Sequence, residues 1–364
     1  MRLGDVAGGA ANLYVTTLGG GLADLRRMPA TVIDSGPQRT VSRYGSMGRR
    51  RGAPVLLVPP LAAPAICFDL RRGCSLAEHL VVGGRRTYLL EYGQIEFRNR
   101  ELGLEHWIED VIPAAVRAAA QDAGRPVRVI GWCLGGIMAL LAHALDGELP
   151  IEAAALVASP FDFSKVPLVA PLRPIDAVTR GQVVTQLYRA LGGAPAPLVK
   201  RSYQLVGIDK YVMKPWTMLS NAGDRDLLAQ IEAVDAFMGR MHAYPGRTFG
   251  QLYHRFFRTN DLADGRLALT DQTIDLADVT IPVLVIAGRG DGIAPIPACH
   301  HVADLVPNAA SVKLETAPGG HLGVLTGRSA KRTTWAHIDE FLGRHGSPAL
   351  EPRKPQRRHL RVVA

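Results

Sequence analysis

The sequence predicts an α/β fold, a mostly parallel sheet flanked by helices, with an inserted and mainly helical cap. Three observations predict it. Short apolar, β-branched runs alternate with longer stretches of helical periodicity, the pattern of parallel strands joined by covering helices. From Ser164 to Asp275 that rhythm stops, and Pro167, Pro171, Pro195 and Pro197 punctuate helical patterns with few strand-like runs between them. Finally, 364 residues, 47% hydrophobic and 21% charged, suffice for a large core and exclude a disordered or fibrous chain.

The elements follow in chain order. Residues 1–50 read as an N-terminal extension, and the cluster Arg49, Arg50 and Arg51 straddles its end before the first strand. The core opens with strands at Val55–Val58 and Thr87–Glu91. Leu104, Trp107, Ile108, Val111 and Ile112 recur at helical spacing and predict a helix over 104–120. A strand at Val127–Ile130 runs through a glycine-rich turn into a helix over 134–145, and a strand at Ala153–Ala158 closes the first core segment, 51–163. The cap occupies 164–275. The core resumes over 276–346 with strands at Val283–Ala287 and Ser311–Leu314, then an amphipathic helix marked by Trp335, Ile338, Phe341 and Leu342. Residues 347–364, rich in proline and arginine, read as a basic disordered tail.

Composition excludes several classes. The run from Val55 to Ile66 is broken by Pro59, Pro60 and Pro64, so no segment is long and apolar enough to span a membrane, and the N-terminus lacks a secretory pattern. The four cysteines (Cys67, Cys74, Cys133, Cys299) have neither CxxC nor metal-ligand spacing, which argues against a disulfide scaffold or a metal site and for a reduced, cytoplasmic setting. The net charge of +9 is concentrated at Arg49–Arg51 and at Arg353, Lys354, Arg357, Arg358 and Arg361. No nucleic-acid motif accompanies it. These read as solvated ends, with an anionic surface or a coenzyme phosphate as the alternative.

The chemistry centres on Gly131-Trp132-Cys133-Leu134-Gly135-Gly136, placed between a strand and a helix. This is the context of a nucleophile elbow, in which flanking glycines make room for a strained turn. The helix N-terminus points at Cys133 and favours an anionic sulfur. A thiolate needs a base, and the base an orienting acid; Asp291 follows one strand and His321 the next, in the order Cys, Asp, His. His300 and His301 fall at a helix start and read as surface or cap contacts. Cys67, Cys74 and Cys299 lack an elbow and read as structural. For the developing oxyanion, the amide of Leu134 is one expected donor, and Leu61 or Ala62 the second, with Ala63 also in range, because the neighbouring prolines carry no N–H. A cysteine exchanging acyl groups with a thioester swaps one thiol for another, so a thioester substrate is favoured, with an ester or lactone as the alternative.

With these residues placed, the chain resembles the polyhydroxyalkanoate synthases, in particular the short type that works with a second subunit, on the α/β-hydrolase fold. The elbow cysteine, Asp69-Leu70 with Ser75-Leu76, Gly103-Leu104, Ser159-Pro160-Phe161-Asp162-Phe163 and Pro318-Gly319-Gly320-His321 carry the resemblance. In the cap, so do Pro245-Gly246-Arg247-Thr248-Phe249 and Phe256-Phe257-Arg258-Thr259-Asn260. It spans about residues 50–345. Dienelactone hydrolases share the Gly-x-Cys-x-Gly-Gly turn but lack the long cap. The resemblance implies that Cys133 carries the acyl group, His321 is the base and Asp291 orients it. It further implies acyl-CoA as substrate with no other cofactor, and a polymer or granule surface and a homodimer or second synthase subunit as partners. Two positions depart from the family: Gly292 stands where a His usually follows the aspartate, and Phe237 where the cap carries a Trp. The expected function is transfer of a hydroxyacyl group from CoA through Cys133 to a hydroxyl acceptor. The alternative is a cysteine-nucleophile hydrolase of the thioesterase, esterase or dienelactone-hydrolase kind.

Overall fold

The apolar runs of the sequence become the strands of one sheet. The computed structural model describes residues 20–45, 52–167 and 172–344, with short pieces at 8–9, 11–12 and 14–16. The arginines at 49–51 and the tail 347–364 lie outside the described residues. In chain order the first core segment contains β1 (Ala30–Gly36), β2 (Arg39–Tyr44), β3 (Val55–Val58), α1 (Leu76–Val82), β4 (Thr87–Glu91), α2 (Ile112–Ala123), β5 (Val127–Trp132), α3 (Leu134–Leu145) and β6 (Ile151–Val157). The second contains β11 (Val283–Gly288), α10 (Ile296–His300), β12 (Val312–Ala317) and α11 (Thr334–Arg344). Eight strands form the sheet in the order β1-β2-β4-β3-β5-β6-β11-β12. β1, β2 and β4 pair antiparallel, and every pair from β4 onward is parallel.

Parallel strands covered on both faces must be apolar on both faces. β3, β5 and β11 meet that condition at every residue, all of which are buried. This is why they were readable as runs. β1 and β2 correct the sequence reading, which placed 1–50 outside the core. Ala30–Gly36 is mostly exposed at the sheet edge with only Val32 and Ile33 as adjacent large apolar residues, and Arg39–Tyr44 is polar apart from Val41 and Tyr44, so neither presents an apolar run of strand length.

The cap contains α4 (Leu172–Thr179), α5 (Gln182–Leu191), β7 (Gly193–Ala194), α6 (Ala196–Val206), α7 (Ile208–Ser220), α8 (Arg225–Met238), β8 (Tyr244–Pro245) and α9 (Gly246–Gln251), which continues as the π-helical turn Leu252–Arg258. Two short ribbons, β7 with β8 and β9 (Arg266–Ala268) with β10 (Thr273–Asp275), are its only strands among the described residues. It is tied to the core by named bonds. Asn260 Oδ1 accepts from the Phe163 amide at 2.8 Å, while its Nδ2 donates to Asp162 Oδ1 at 2.9 Å. The Trp107 indole donates to Thr248 Oγ1 at 2.9 Å, and Thr248 in turn donates to the Leu102 carbonyl at 2.6 Å. On α7, Ile208, Val212, Trp216 and Leu219 recur at helical spacing and are 55–71% exposed, an apolar face turned to solvent. No helix of the described residues is long and apolar enough to cross a membrane.

Candidate active site

β5 ends at Trp132 and α3 begins at Leu134, so Cys133 must reverse the chain within one residue. Its φ of 53° and ψ of −126° lie in a region that costs a non-glycine residue of order 1–3 kcal/mol. The turn is held by the Cys133 amide donating to the Val157 carbonyl at 2.9 Å. The neighbouring glycines are required by contact distance. A Cβ on Gly131 would stand 2.3 Å from the Gly136 Cα, and one on Gly135 would stand 2.3 Å from the Val58 carbonyl oxygen and 2.5 Å from that of Pro59. The first turn of α3 is therefore pressed against both its own strand and the loop after β3. The sulfur is nearly covered, with Cys133 only 8% exposed.

Asp291 and His321 meet across the ends of β11 and β12. His321 Nδ1 and Asp291 Oδ2 are 2.8 Å apart. The other carboxylate oxygen, Oδ1, accepts from the amides of Ile293 at 2.8 Å and Ala294 at 2.9 Å, which fixes the carboxylate plane. His321 Nε2 is enclosed and has no hydrogen-bond partner of good geometry. The group acting on it is Cys133. Burial by itself pushes the imidazole down, but the charges at Cys133 and Asp291 outweigh it and lift His321 to about 10. The site thus favours an imidazolium beside the sulfur. By contrast, burial pushes the thiols of Cys67, Cys74 and Cys299 up, and none of them is disulfide-bonded.

The amides expected to face an oxyanion are placed as follows. Leu134 is the first residue of α3, so its N–H has no acceptor within the helix. In the loop after β3, the Ala63 amide turns inward to the Pro60 carbonyl at 3.4 Å, whereas Leu61 and Ala62 donate to no backbone carbonyl among the described residues. The Ala62 carbonyl accepts from the His242 amide of the cap at 2.8 Å, which seats the cap on this loop. His300 and His301 bond the carbonyls of Glu315 and the cap residue Ala263.

Several residues around the site carried no sequence signal. The Trp132 indole donates to the His321 carbonyl at 3.1 Å, and its ring lies 5.1 Å from the imidazole and 6.1 Å from Phe237. Its place beside Cys133 is the one clue the sequence offered. Tyr203 and Tyr244, from α6 and β8, hydrogen-bond each other within the field of Cys133, and burial pushes both phenols up. They come from distant positions and carry no local pattern. Among the described residues no cluster of three or more His, Cys, Asp or Glu could hold a metal.

No family model matches the chain. The chain is 25% identical over 349 residues to the poly(3-hydroxyalkanoate) polymerase subunit PhaC of Allochromatium vinosum, covering 90% of this chain and 94% of that one. It is 22% identical to the subunit of the same name from Haloferax mediterranei, over 79% of this chain and 58% of that one. Among solved structures, the mouse α/β-hydrolase domain-containing protein 10 superposes with a TM-score of 0.50 at 15% identity, over 87% of this chain and 99% of that one. Such a structural likeness concerns the fold alone, and it agrees with the sheet order and the strand–turn–helix at Cys133. The sequence likeness runs through core and cap together. On an α/β-hydrolase fold, and with that likeness along most of its length, the chain is an enzyme related to the poly(3-hydroxyalkanoate) polymerases.

Proposed function

We propose that the protein transfers a hydroxyacyl group from a coenzyme A thioester to a hydroxyl acceptor through a covalent thioester on Cys133. The observation that carries this reading is the contact of His321 with Asp291 at 2.8 Å, with the opposite imidazole nitrogen left to Cys133 on its strained turn. In the first half, the Cys133 sulfur attacks the acyl carbon, the amides of Leu134 and of Leu61 or Ala62 take the charge on oxygen, and the departing coenzyme thiolate receives the proton of His321 Nε2. In the second half, His321 Nε2 accepts the proton of the incoming hydroxyl as its oxygen attacks the acyl carbon, and the Cys133 thiolate leaves. Asp291 holds the imidazole in the required orientation throughout.

The cap seated on the loop after β3 favours transfer over hydrolysis, because the acyl-enzyme must outlast encounters with water. The apolar face of α7 supports a polymer surface as the partner, since the product of repeated transfer would be an apolar polyester. Incubation with 3-hydroxybutyryl-CoA, following free thiol, free acid and insoluble polymer, tests the reading. Thiol release with polymer is expected, and none with Cys133→Ala. Free acid without polymer would reject transfer, and undiminished turnover by the variant would reject the nucleophile.

A further inference from the structure

A cleft of about 510 Å³ opens where the loop after β4 meets α5, α9 and the π-helical turn, and it is distinct from the triad. Its walls carry Arg100, Arg189, Arg247 and Arg255, with His254 and Tyr188 between them. The one acidic residue lining it is Glu101, which pairs with Arg100 at 3.3 Å. Arg247 and Arg255 are partly offset by Glu105 at 3.0 Å and Asp261 at 3.2 Å. Arg189 has no carboxylate partner among the described residues. Four arginines on the walls of one concave surface, set against a single acidic lining residue, leave it an excess of positive charge, and arginine forks match phosphate oxygens two at a time. The field is felt locally. Burial and the charge of Arg258 hold the His254 imidazole below its ordinary value against the pull of Asp176, and Arg189 and Arg255 add to that effect. A volume of this size suits part of a small ligand.

The cleft also lies one ribbon away from the nucleophile. Gly192 and Gly246 line it, and the next residues pair as Gly193 with Pro245 and Ala194 with Tyr244. Tyr244 lies in the field of Cys133, and residues 244 and 246 are separated by roughly 7 Å of strand.

We propose that this arginine-lined cleft binds the phosphate groups of an adenine nucleotide, and that the nucleotide is the handle of the coenzyme A thioester whose acyl end reaches Cys133. The second part rests on the acyl-transfer reading above. The same phosphate chemistry could come from a free nucleotide, so the test separates the two sources. Binding of coenzyme A, ADP and phosphate-free pantetheine to the full chain is measured by calorimetry at low and high salt, for the native protein, Arg189→Glu and Arg100→Ala. Arg189→Lys, which keeps the charge, controls for misfolding.

Coenzyme A binding is expected to weaken by about tenfold or more in Arg189→Glu, to be restored in large part by Arg189→Lys, and to fall with salt. Pantetheine is expected to bind all of the proteins alike. The His254 imidazole pKa, followed by NMR, is expected to rise as the phosphates arrive. Coenzyme A binding that ignores both charge-removing variants and salt would overturn the site. A phosphate-free thioester analogue distinguishes this failure from failure of the acyl-transfer reading. If the analogue is turned over while coenzyme A ignores the cleft, the cleft proposal falls and acyl transfer stands. If the cleft binds ADP and coenzyme A equally and no thioester is turned over, the handle is rejected together with the acyl-transfer reading.

Discussion

At the scale of single residues, the proposed reaction turns on the proton at His321. Its imidazole is lifted from 6.5 to about 10 in the folded chain, against burial, by the charges at Cys133 and Asp291. A group whose folded pKa is raised stabilises the fold fully below its unfolded pKa, and that contribution is lost as pH rises through the folded value. The stability difference between the native protein and His321→Gln, from denaturant midpoints, is therefore expected to be full below about pH 6.5, to shrink as pH rises from there, and to be lost once pH has passed about 10. Because the charge at Cys133 is the largest upward influence on His321, Cys133→Ala should also drop the His321 pKa, which NMR of the ring protons would record; an unchanged value would sever the two groups. Asp291→Asn removes the acceptor of Nδ1 and should lower the rate by roughly 10³-fold or more with the fold intact by circular dichroism. Cys133, Asp291 and His321 could be singled out in the sequence because each sits in a glycine-marked loop after a strand, and the His321–Asp291 contact is the part of that expectation the geometry shows. The tyrosines near Cys133 were not, since their approach depends on how the cap folds over the core.

At the scale of elements, burial decided what could be read. β3 and β4 match their expected bounds because their residues face covering helices on both sides. The edge strands β1 and β2 had no such signature. The helix expected over 104–120 extends to Ala123 and includes a π-helical turn at His106–Val111, which hydrophobic spacing does not distinguish from α-helix. Some family-like segments prove to be joints. Asp69 accepts from Ser75 Oγ at 2.6 Å and from the Met28 amide at 2.8 Å, tying the segment before β1 to the first core loops. Asn260 joins the cap to the strand end after β6 through Phe163 and Asp162. Asn260→Ala leaves a backbone amide and a carboxylate short of partners and should cost about 1–3 kcal/mol, read from thermal unfolding, with faster proteolysis inside the cap. Cleavage at the native rate would show that the joint does not hold it.

At the scale of the whole molecule, the same joint bears on product. A cap that opens more often admits water to the acyl-enzyme, so the share of free acid relative to transferred product should rise in Asn260→Ala under the proposed reaction. The apolar face of α7 predicts a separate effect. Val212→Glu with Trp216→Glu should reduce binding to polyester particles in a sedimentation assay while the protein stays folded. Loss of a dimer in the same variant, with particle binding kept, would assign the face to a second copy instead. The close approach at Gly135 has a consequence of another kind. Because bare backbone touches bare backbone there, the distance between the first amide of α3 and the loop after β3 is set by incompressible contact, not by a side chain that could yield. Under the proposed reaction, the aperture between those amides would act as a fixed gauge. Acyl groups of differing length could be sorted by the cap, but every reacting carbonyl would have to pass the same calibrated gap, which a single added methyl would force apart.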